Sequence, residues 1–382
     1  MLDTFNQVSD RRSELPYKLM EFNWGFLFLL CVIAGFGFLM LYSVAEGWKP
    51  WALPQIVRFG VGVFIMIGVA LIDIRIWMRL AYPAYVVALG LLIGVEFFGT
   101  VGMGAQRWID LGFIQLQPSE LMKISLVLAL ARFFHGLELD SVSHPMVILP
   151  PVVMIALPVA LVLMQPDLGT SILLAAGGGA IIFLAGIHWG YLAGGLGVVL
   201  AAVPIGWQFL HDYQKARVFT FFDPERDPLG TGYHILQSKI ALGSGGLFGR
   251  GFLQGTQAHL NFLPEKQTDF IFTMLAEELG LIGAGSLLLL YILVAAYGLT
   301  VAIGSRNHFG RLVAMGVIVN FLLYVFINVA MVMGLVPVVG VPLPLVSYGG
   351  TSMMTLMFGF GLLMSVHIHR HEEMARSPIS VW

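Results

Sequence analysis

The chain has 382 residues and a formal net charge of −2, with 58% hydrophobic and 11% charged residues and a mean hydropathy of +0.86. This composition excludes an ordinary soluble domain and predicts an all-α polytopic membrane protein. The charge gives no indication of a nucleic-acid partner, so anion binding would depend on single Arg or Lys residues that face a cavity. The single cysteine, Cys31, lies inside an apolar run, which excludes a disulfide framework and a thiolate zinc site.

Ten apolar runs have about the length that a transmembrane helix requires. They cover residues 23–44, 53–73, 78–98, 118–135, 147–164, 168–187, 189–209, 270–303, 311–333 and 350–368. The run that begins at 270 is overlong, and it is predicted to tilt or to kink near Gly280, Gly283 or Gly285. The N-terminal segment is polar and mixed in charge, unlike a cleavable signal, so the first run is predicted to direct insertion itself.

The distribution of Lys and Arg among the short loops predicts the orientation in the membrane. The short loops of one side hold only Lys49 and Arg107. The other side collects Arg11, Arg12, Lys18, Arg75, Arg79, Arg132, Arg306, Arg311, Arg370 and Arg376. Both termini, residues 1–22 and 369–382, are therefore predicted to be cytoplasmic, and residues 210–269 are predicted to form one long extracytoplasmic loop.

Polar residues cluster around the start of the fourth run. Proline at the first helical position followed by an acid in the first turn is ordinary helix-start chemistry, and this accounts for Glu120. It does not account for Lys123, a cation one turn into an apolar span. Glu120 and Lys123 are three residues apart and share a helix face, so they form either a structural pair or part of a site for an anionic ligand. Arg107, in the preceding short loop beside Trp108, is placed to bind a phosphate through two hydrogen bonds.

A second acid begins the sixth run, in the segment Gln165-Pro166-Asp167-Leu168-Gly169-Thr170-Ser171. The helix dipole favours an acid in the first turn, and this is a sufficient explanation for a lone instance. Asp167 becomes a candidate for substrate binding only if it faces the same cavity as Lys123.

The segment before the overlong run places acids at a membrane boundary, where charged groups are costly and commonly functional. Asp269, Thr273 and Glu277 recur at intervals of four and are predicted to share one helix face. The structural alternatives are a helix-start acid for Asp269 and a buried, protonated or lysine-paired structural role for Glu277 and Glu278. Because several acids follow Lys266 here, Asp269 is the first candidate for a catalytic residue and Glu277 a secondary one.

Residues 334–352 are rich in proline and glycine, and they are predicted to be apolar but not helical. Irregular backbone at membrane depth is tolerated only where it is buried in protein or lines a cavity. The segment is therefore predicted to form a re-entrant cavity wall, with a tight connector as the alternative.

Two weaker signals have structural interpretations. His367, His369 and His371 suggest a metal site, but a spacing of two splits them between helix faces, so they are predicted to end the last helix at the cytoplasmic interface. Arg58, near the outer end of the second run, is predicted to extend its charged group towards the interface.

Taken together, these motifs resemble the SEDS family of bacterial cell-wall synthesis, and the rod-shape group, RodA, more than the division group, FtsW. The resemblance runs over nearly the whole chain, as a single membrane domain of residues 1–382. The matching segments are Arg107-Trp108, Gln117-Pro118-Ser119-Glu120 with Lys123, Gln165 to Ser171, Pro264-Glu265 with Thr268-Asp269-Phe270, and Pro344 with Ser347 to Ser352.

The resemblance implies a ten-helix peptidoglycan glycosyltransferase of the bacterial inner membrane, which polymerises lipid II for cell elongation and rod shape together with a class B penicillin-binding protein. It implies that Asp269 is the essential catalytic residue. It also implies a divalent cation, Mg²⁺ or Mn²⁺, whose ligands in this chain are unassigned. The candidates for substrate binding are Arg107, Glu120, Lys123, Asp167, Lys266 and Ser347.

The chemistry of glycan polymerisation fits these residues. A sugar hydroxyl needs a general base, for which a partly desolvated carboxylate such as Asp269 is suited. The leaving diphosphate needs cations, which Lys123 and Arg107 can supply. An α-linked donor that gives a β-linked product requires inversion, consistent with one base and no covalent intermediate. The alternatives are a lipid II flippase, since broken helices with acids also occur in transporters, and a non-enzymatic scaffold for the penicillin-binding protein.

Overall fold

The computed structural model describes residues 15–102, 105–110, 112, 115–137, 145–209, 215, 219–221, 223, 231–256 and 265–374. The described part of the chain is almost entirely helical. Its helices are α1 (Leu15–Glu21), α2 (Trp24–Ala45), α3 (Ala52–Leu71), α4 (Ile74–Phe98), α5 (Pro118–His135), α6 (Pro145–Met164), α7 (Leu168–Leu184), α8 (Trp189–Phe209), α9 (Thr231–Ser244), α10 (Ile271–Gly304), α11 (His308–Val332) and α12 (Gly350–Ile368).

Each of the predicted apolar runs overlaps one helix, from α2 to α8 and from α10 to α12. Seven of these helices are both long and apolar enough to cross a membrane, namely α2, α3, α4, α6, α10, α11 and α12. Helix α7 is apolar but shorter, and α5 carries Glu120, Lys123 and Arg132. The chain is thus a multi-pass membrane protein, whereas ten crossings and the sidedness of the termini stay predictions.

Side-chain caps fix where several helices begin. Asn23 accepts a hydrogen bond from the backbone N–H of Phe26 at 3.0 Å, and Asn307 accepts one from Gly310 at 2.5 Å. Both caps satisfy a backbone donor that the first helical turn leaves unpaired. Helix α5 instead begins with Pro118 at its first position, which needs no such partner.

The centre of the bundle is formed by α5, α11 and α12. Helix α5 packs against α4, α7 and α11, while α12 packs against α3 and α11. Nearly every side chain from Pro118 to Ala131 is buried, including Glu120 and Lys123. The helix that carries the most charged candidates is therefore the one most enclosed by protein, where an unpaired charge would be costly.

A small antiparallel sheet replaces the predicted short loop between α4 and α5. Its strands are β1 (Thr100–Gly102), β2 (Ala105–Asp110) and β3 (Gln115–Leu116), in the order β1-β2-β3. Thr100 is paired with Trp108, and Ile109 with Leu116. Arg107 therefore projects from a paired strand, which holds its side chain more firmly than a loop would.

Helix α10 is kinked at Gly280, one of the three glycines predicted for that role. Gly280 has φ 67° and ψ −166°, a conformation open essentially only to glycine. The kink accommodates residues 245–256, here called the clasp, which follow α9. Beyond the kink, the N–H groups of Leu281 and Ile282 donate to the carbonyls of Gly246 and Leu247 at 2.9 and 3.1 Å.

The predicted long loop, residues 210–269, lies largely outside the described residues. Within it, the structure describes α9, the clasp and a turn over residues 265–270. Residues 334–349, here called the Pro-Gly segment, are non-helical between α11 and α12, as predicted. This segment lies beside the turn that carries Asp269.

Candidate active site

Asp269 lies in the turn of residues 265–270 and not on α10. Its backbone N–H donates to the carbonyl of Glu265 at 3.1 Å, and α10 begins only at Ile271. The prediction that Asp269, Thr273 and Glu277 share one helix face is therefore wrong, because a turn with Glu265 at φ 52° precedes the helix. Asp269 is half-buried, whereas Thr273 and Glu277 are fully enclosed.

The Pro-Gly segment packs directly against Asp269. A Cβ placed on Gly340 would lie 3.4 Å from Oδ2 of Asp269, so this glycine borders the carboxylate. Gly340 has φ 71°, which a residue with a side chain rarely adopts. The carboxylate thus faces a backbone surface that has no side chain of its own.

Asn328 of α11 connects Asp269 to the Pro-Gly segment. Its Nδ2 donates to the backbone carbonyl of Asp269 at 3.0 Å and to that of Val341 at 2.7 Å. Asn328 is fully buried, and these two bonds satisfy both donor hydrogens of its amide group. One side chain therefore sets the position of Asp269 relative to the segment.

Ser347 makes a second connection between the two turns. Its hydroxyl accepts from the N–H of Leu343 at 2.7 Å and donates to the carbonyl of Thr268 at 2.5 Å. The N–H of Tyr348 donates to the carbonyl of Gln267 at 2.8 Å. Ser347 is a predicted substrate-binding residue, and in the structure its hydroxyl is occupied in holding the turn before Asp269.

Glu120 and Lys123 form the pair that their spacing predicts. Nζ of Lys123 donates to Oε1 of Glu120 at 2.6 Å, and both side chains are buried. The hydroxyl of Tyr324 on α11 contacts Nζ closely and lies 2.9 and 3.0 Å from the two carboxylate oxygens of Glu120. Nζ also lies 4.4 Å from the centroid of the Tyr324 ring, a cation–π distance. The buried charges are therefore compensated within one cluster.

This cluster lies in a cavity whose opposite wall is the Pro-Gly segment. The cavity has a volume of about 40 Å³. Glu120, Lys123 and Ser347 line it, together with Tyr324 and Asn320. The structure thus brings together three predicted site residues and confirms that the Pro-Gly segment forms a cavity wall.

Arg107 and Asp167 form a separate pair at the start of α7. Nε of Arg107 lies 3.7 Å from Oδ2 of Asp167 and donates to the carbonyl of Gln165 at 3.3 Å, while Nη2 donates to the carbonyl of Pro166. The carboxylate of Asp167 caps α7, accepting hydrogen bonds from the N–H and the hydroxyl of Thr170 at 3.1 and 2.9 Å. Nη1 of Arg107 makes no hydrogen bond to the described residues, and the side chain is 29% exposed. Arg107 is therefore held in place through Nε and Nη2, and Nη1 provides a donor edge for a ligand.

Lys266 lies in the same turn as Asp269 and is half-buried. Burial lowers the pKa of its ammonium below the ordinary value, and the negative charge of Glu46 at the end of α2 partly opposes this effect. The turn therefore carries a cation within a few residues of Asp269. Lys266 does not line the cavity that contains Lys123.

Glu277 and Glu278 hold the clasp on α10. Oε1 of Glu277 accepts from the N–H and the hydroxyl of Thr256 at 2.8 and 2.9 Å, and it lies 4.0 Å from Nη1 of Arg250. Glu278 accepts from the hydroxyl of Ser43 at 2.5 Å and from the N–H of Leu253 at 3.3 Å. The two side chains are 0% and 1% exposed. The structural alternative stated for these acids therefore describes them well.

Sequence reasoning missed Tyr324 and Asn328, which contact Glu120 and Asp269. A signal for both was present, since Asn320, Tyr324 and Asn328 recur at intervals of four and mark one polar face of an otherwise apolar helix. Arg58 also differs from expectation. Its guanidinium lies 4.6 Å from the centroid of the Tyr348 ring, so it packs on the Pro-Gly segment instead of extending towards solvent.

The implied divalent cation can be tested against the residues around Asp269. In the described part of the chain, no group of three His, Cys, Asp or Glu ligands includes Asp269. Mg²⁺ commonly binds through one or two carboxylates together with phosphate oxygens and water. Asp269 is one such carboxylate, so these residues fit a cation that is bound jointly with a diphosphate and not one held by protein alone.

The family model described as cell cycle protein, which covers FtsW, RodA and SpoVE, matches residues 20–372. The chain belongs to this family. It is 46% identical over 346 residues to the peptidoglycan glycosyltransferase MrdB of Escherichia coli, covering 90% of this chain and 93% of that protein. It is 32% identical to the peptidoglycan glycosyltransferase RodA of Treponema pallidum, with 91% and 98% covered.

Solved structures agree with this assignment. A chain from a peptidoglycan synthase complex, described as coordinating polymerisation and crosslinking, superimposes with a TM-score of 0.80 at 32% identity, over 92% of this chain and 99% of that chain. The rod shape determining protein RodA of Thermus thermophilus gives a TM-score of 0.70 at 29% identity, over 92% and 98%. The fold described above is therefore that of the RodA structures.

Proposed function

We propose that this chain is a peptidoglycan glycosyltransferase that polymerises lipid II into glycan strands for cell elongation. The observation that supports this most directly is the attachment of the Asp269 turn to the Pro-Gly segment, whose other residues line the cavity of Glu120 and Lys123. A half-buried carboxylate near a largely apolar cavity that holds one buried Glu–Lys pair suits a substrate with a sugar diphosphate head and a lipid tail. Curated relatives with this activity in their names cover nearly the whole chain.

In this mechanism Asp269 is the general base. Its carboxylate accepts the proton of the attacking sugar hydroxyl as that oxygen bonds to the anomeric carbon of the donor. The carboxylate is half-buried and borders Gly340, so it is partly shielded from water while it remains open to a substrate hydroxyl. The anomeric carbon inverts in a single displacement, since the mechanism includes no covalent intermediate.

The leaving diphosphate requires positive charge. The available donor edge of Arg107 suits a phosphate oxygen, and its bonds to the carbonyls of Gln165 and Pro166 fix the direction of that edge. Lys123 is paired with Glu120, so it would approach a diphosphate by exchanging partners within the cavity. A bound Mg²⁺ or Mn²⁺ would neutralise charge on the diphosphate and would be held mainly by phosphate oxygens and water.

The orientation and the partner follow from the same proposal. The cytoplasmic termini predicted from Lys and Arg would put the Asp269 turn on the outer face of the inner membrane, where lipid II is consumed. The similar chain of known structure belongs to a complex that combines polymerisation and crosslinking. We infer that a class B penicillin-binding protein supplies the crosslinking activity for this chain as well.

The test is a polymerisation assay with purified protein and labelled lipid II. Asp269→Asn should leave the thermal midpoint of unfolding unchanged and reduce glycan synthesis by about 10²–10⁴-fold, the usual contribution of a general base. Asp110→Asn, at an exposed acid of β2, is the matched control and should retain activity. Addition of a chelator reports the dependence on a divalent cation.

Three outcomes would contradict the proposal. Near-normal polymerisation by Asp269→Asn would remove Asp269 from the mechanism. Translocation of lipid II by the wild-type protein, without any moenomycin-insensitive polymer, would favour the flippase. Failure of both activities with normal recruitment of a penicillin-binding protein would favour a scaffold.

A further inference from the structure

A cluster of potential metal ligands lies at the other end of the bundle. One ring nitrogen of His369 and carboxylate oxygens of Asp73 and Glu372 all lie within 4.8 Å of one another. Asp73 lies between α3 and α4, and the other two residues follow α12. Helix α12 has 19 residues, so at 1.5 Å per residue this cluster is about 28 Å from the Pro-Gly segment. It is therefore distinct from the candidate active site.

The imidazole of His369 is oriented as in a metal-binding histidine. Nδ1 lies 2.8 Å from the carbonyl oxygen of Ser365, and since a carbonyl only accepts, Nδ1 must carry the proton. Nε2 is buried and has no hydrogen-bond partner, and the residue is 4% exposed. A histidine that binds a metal commonly donates its second N–H to a backbone carbonyl in this way. The remaining nitrogen then presents a lone pair.

The two carboxylates supply the negative charge that such a site requires. Oε2 of Glu372 is buried without a hydrogen bond, although Nη2 of Arg75 lies 3.4 Å away. Asp73 uses Oδ1 to cap α4, accepting from the N–H of Arg75 at 2.8 Å. Two cations are close, but the Arg75 side chain is 54% exposed, and Lys18 donates to the carbonyl of Leu71. Neither donates a side-chain hydrogen bond to the cluster.

We propose that Asp73, His369 and Glu372 form a binding site for a divalent cation, of which Zn²⁺ fits best. One imidazole nitrogen and two carboxylate oxygens, with water as a fourth ligand, are a set that Zn²⁺ accepts in tetrahedral geometry. Bonds of about 2.0–2.1 Å require the ligand atoms to approach to about 3.3 Å of one another. Glu372 is 26% exposed in its side chain and lies beyond the last helix, so it can make this movement. The alternative is a protonated imidazole that satisfies the two carboxylates without any metal.

The site would join turns that already meet through hydrogen bonds. The hydroxyl of Ser365 donates to the carbonyl of Ile72 at 2.9 Å, and Nδ2 of Asn307 donates to that of Glu372 at 3.3 Å. A cation between Asp73, His369 and Glu372 would cross-link the α3–α4 turn to the chain after α12. The bound cation would stabilise the folded protein, because it would bind the folded state and not the unfolded chain.

The experiment measures Zn²⁺ binding by full-length protein in detergent, after treatment with chelator and without a polyhistidine tag. Calorimetry should give one Zn²⁺ per chain, and Zn²⁺ should raise the thermal midpoint of unfolding. His369→Gln and Glu372→Gln should each weaken binding at least tenfold and abolish the thermal shift. His371→Gln and Glu373→Gln, at exposed neighbours, are matched controls that should bind as the wild type does.

Glu372→Gln is expected to fold normally even if His369→Gln does not, because the Glu372 side chain is only half-buried. Substitution of Co²⁺ provides a second readout, since a tetrahedral site gives an intense visible absorption that solvated Co²⁺ lacks. The proposal is overturned if the wild-type protein shows no saturable Zn²⁺ binding, or if the control variants lose binding as much as the ligand variants do. In that case the protonated imidazole accounts for the cluster.

Discussion

Asp269 and the pair Glu277 and Glu278 are acids of one segment, yet the structure treats them differently. The two glutamates are enclosed, and each accepts hydrogen bonds from residues of the clasp. Asp269 is half-buried, lies before the helix and borders the backbone of Gly340. The carboxylates of Glu277 and Glu278 bind other segments of the protein. The turn that carries Asp269 is held by hydrogen bonds to the backbone carbonyl and N–H of that residue.

This difference separates a structural acid from a reactive one more clearly than burial alone. A buried carboxylate that anchors other segments is costly to lose, because its partners become unsatisfied. At Asp269, an amide in place of the carboxylate keeps the hydrogen bonds that hold the main chain, while the chemistry of the acid is lost. Stability and activity should therefore respond in opposite ways to substitutions at the two places.

Gly280→Ala is expected to have the largest effect, because it destroys the kink that seats the clasp. A Cβ at position 280 would overlap the backbone of Gly249 and Leu247, at a φ that alanine does not tolerate. We expect a large fall in the thermal midpoint and trypsin cleavage after Arg250. Gly285→Ala is the matched control, since a Cβ there meets nothing within 4 Å. Equal stability of the two variants would show that the clasp does not depend on the kink.

Glu277→Gln is expected to have an intermediate effect. The amide keeps an acceptor for Thr256 but loses the charge that faces Arg250, so the folded state should lose about 1–3 kcal/mol. Glycan synthesis per folded molecule should stay within about twofold of wild type, in contrast to Asp269→Asn. The comparison fails if Glu277→Gln abolishes polymerisation without lowering the thermal midpoint, because Glu277 would then take part in the reaction.

The parts that the sequence predicted are those that depend on neighbours along the chain. The apolar runs, the pairing of Lys123 with Glu120 and the kink at Gly280 all follow from local spacing and glycine chemistry. The contact of Tyr324 with Glu120 joins residues 204 positions apart, so it depends on how helices pack. The helix face predicted for Asp269 was wrong because the turn at Glu265 is held by tertiary contacts, which periodicity does not report.

Asn328→Leu should lower activity less than Asp269→Asn does, because it keeps the carboxylate and removes only a donor to its backbone carbonyl. Leucine has a similar size, so the core stays filled, while the carbonyls of Asp269 and Val341 lose their shared donor. We expect kcat to fall about tenfold, equivalent to about 1.4 kcal/mol, with KM changed less than twofold, because substrate contacts remain and only the base moves. Phe326→Leu, at an exposed side chain of the same helix that does not line the cavity, is the control and should leave kcat and KM unchanged. A change in KM alone would mean that Asn328 shapes the cavity and does not position the base. A fall in kcat alone would show that the hydrogen bond to the backbone carbonyl of Asp269 positions its carboxylate for the reaction.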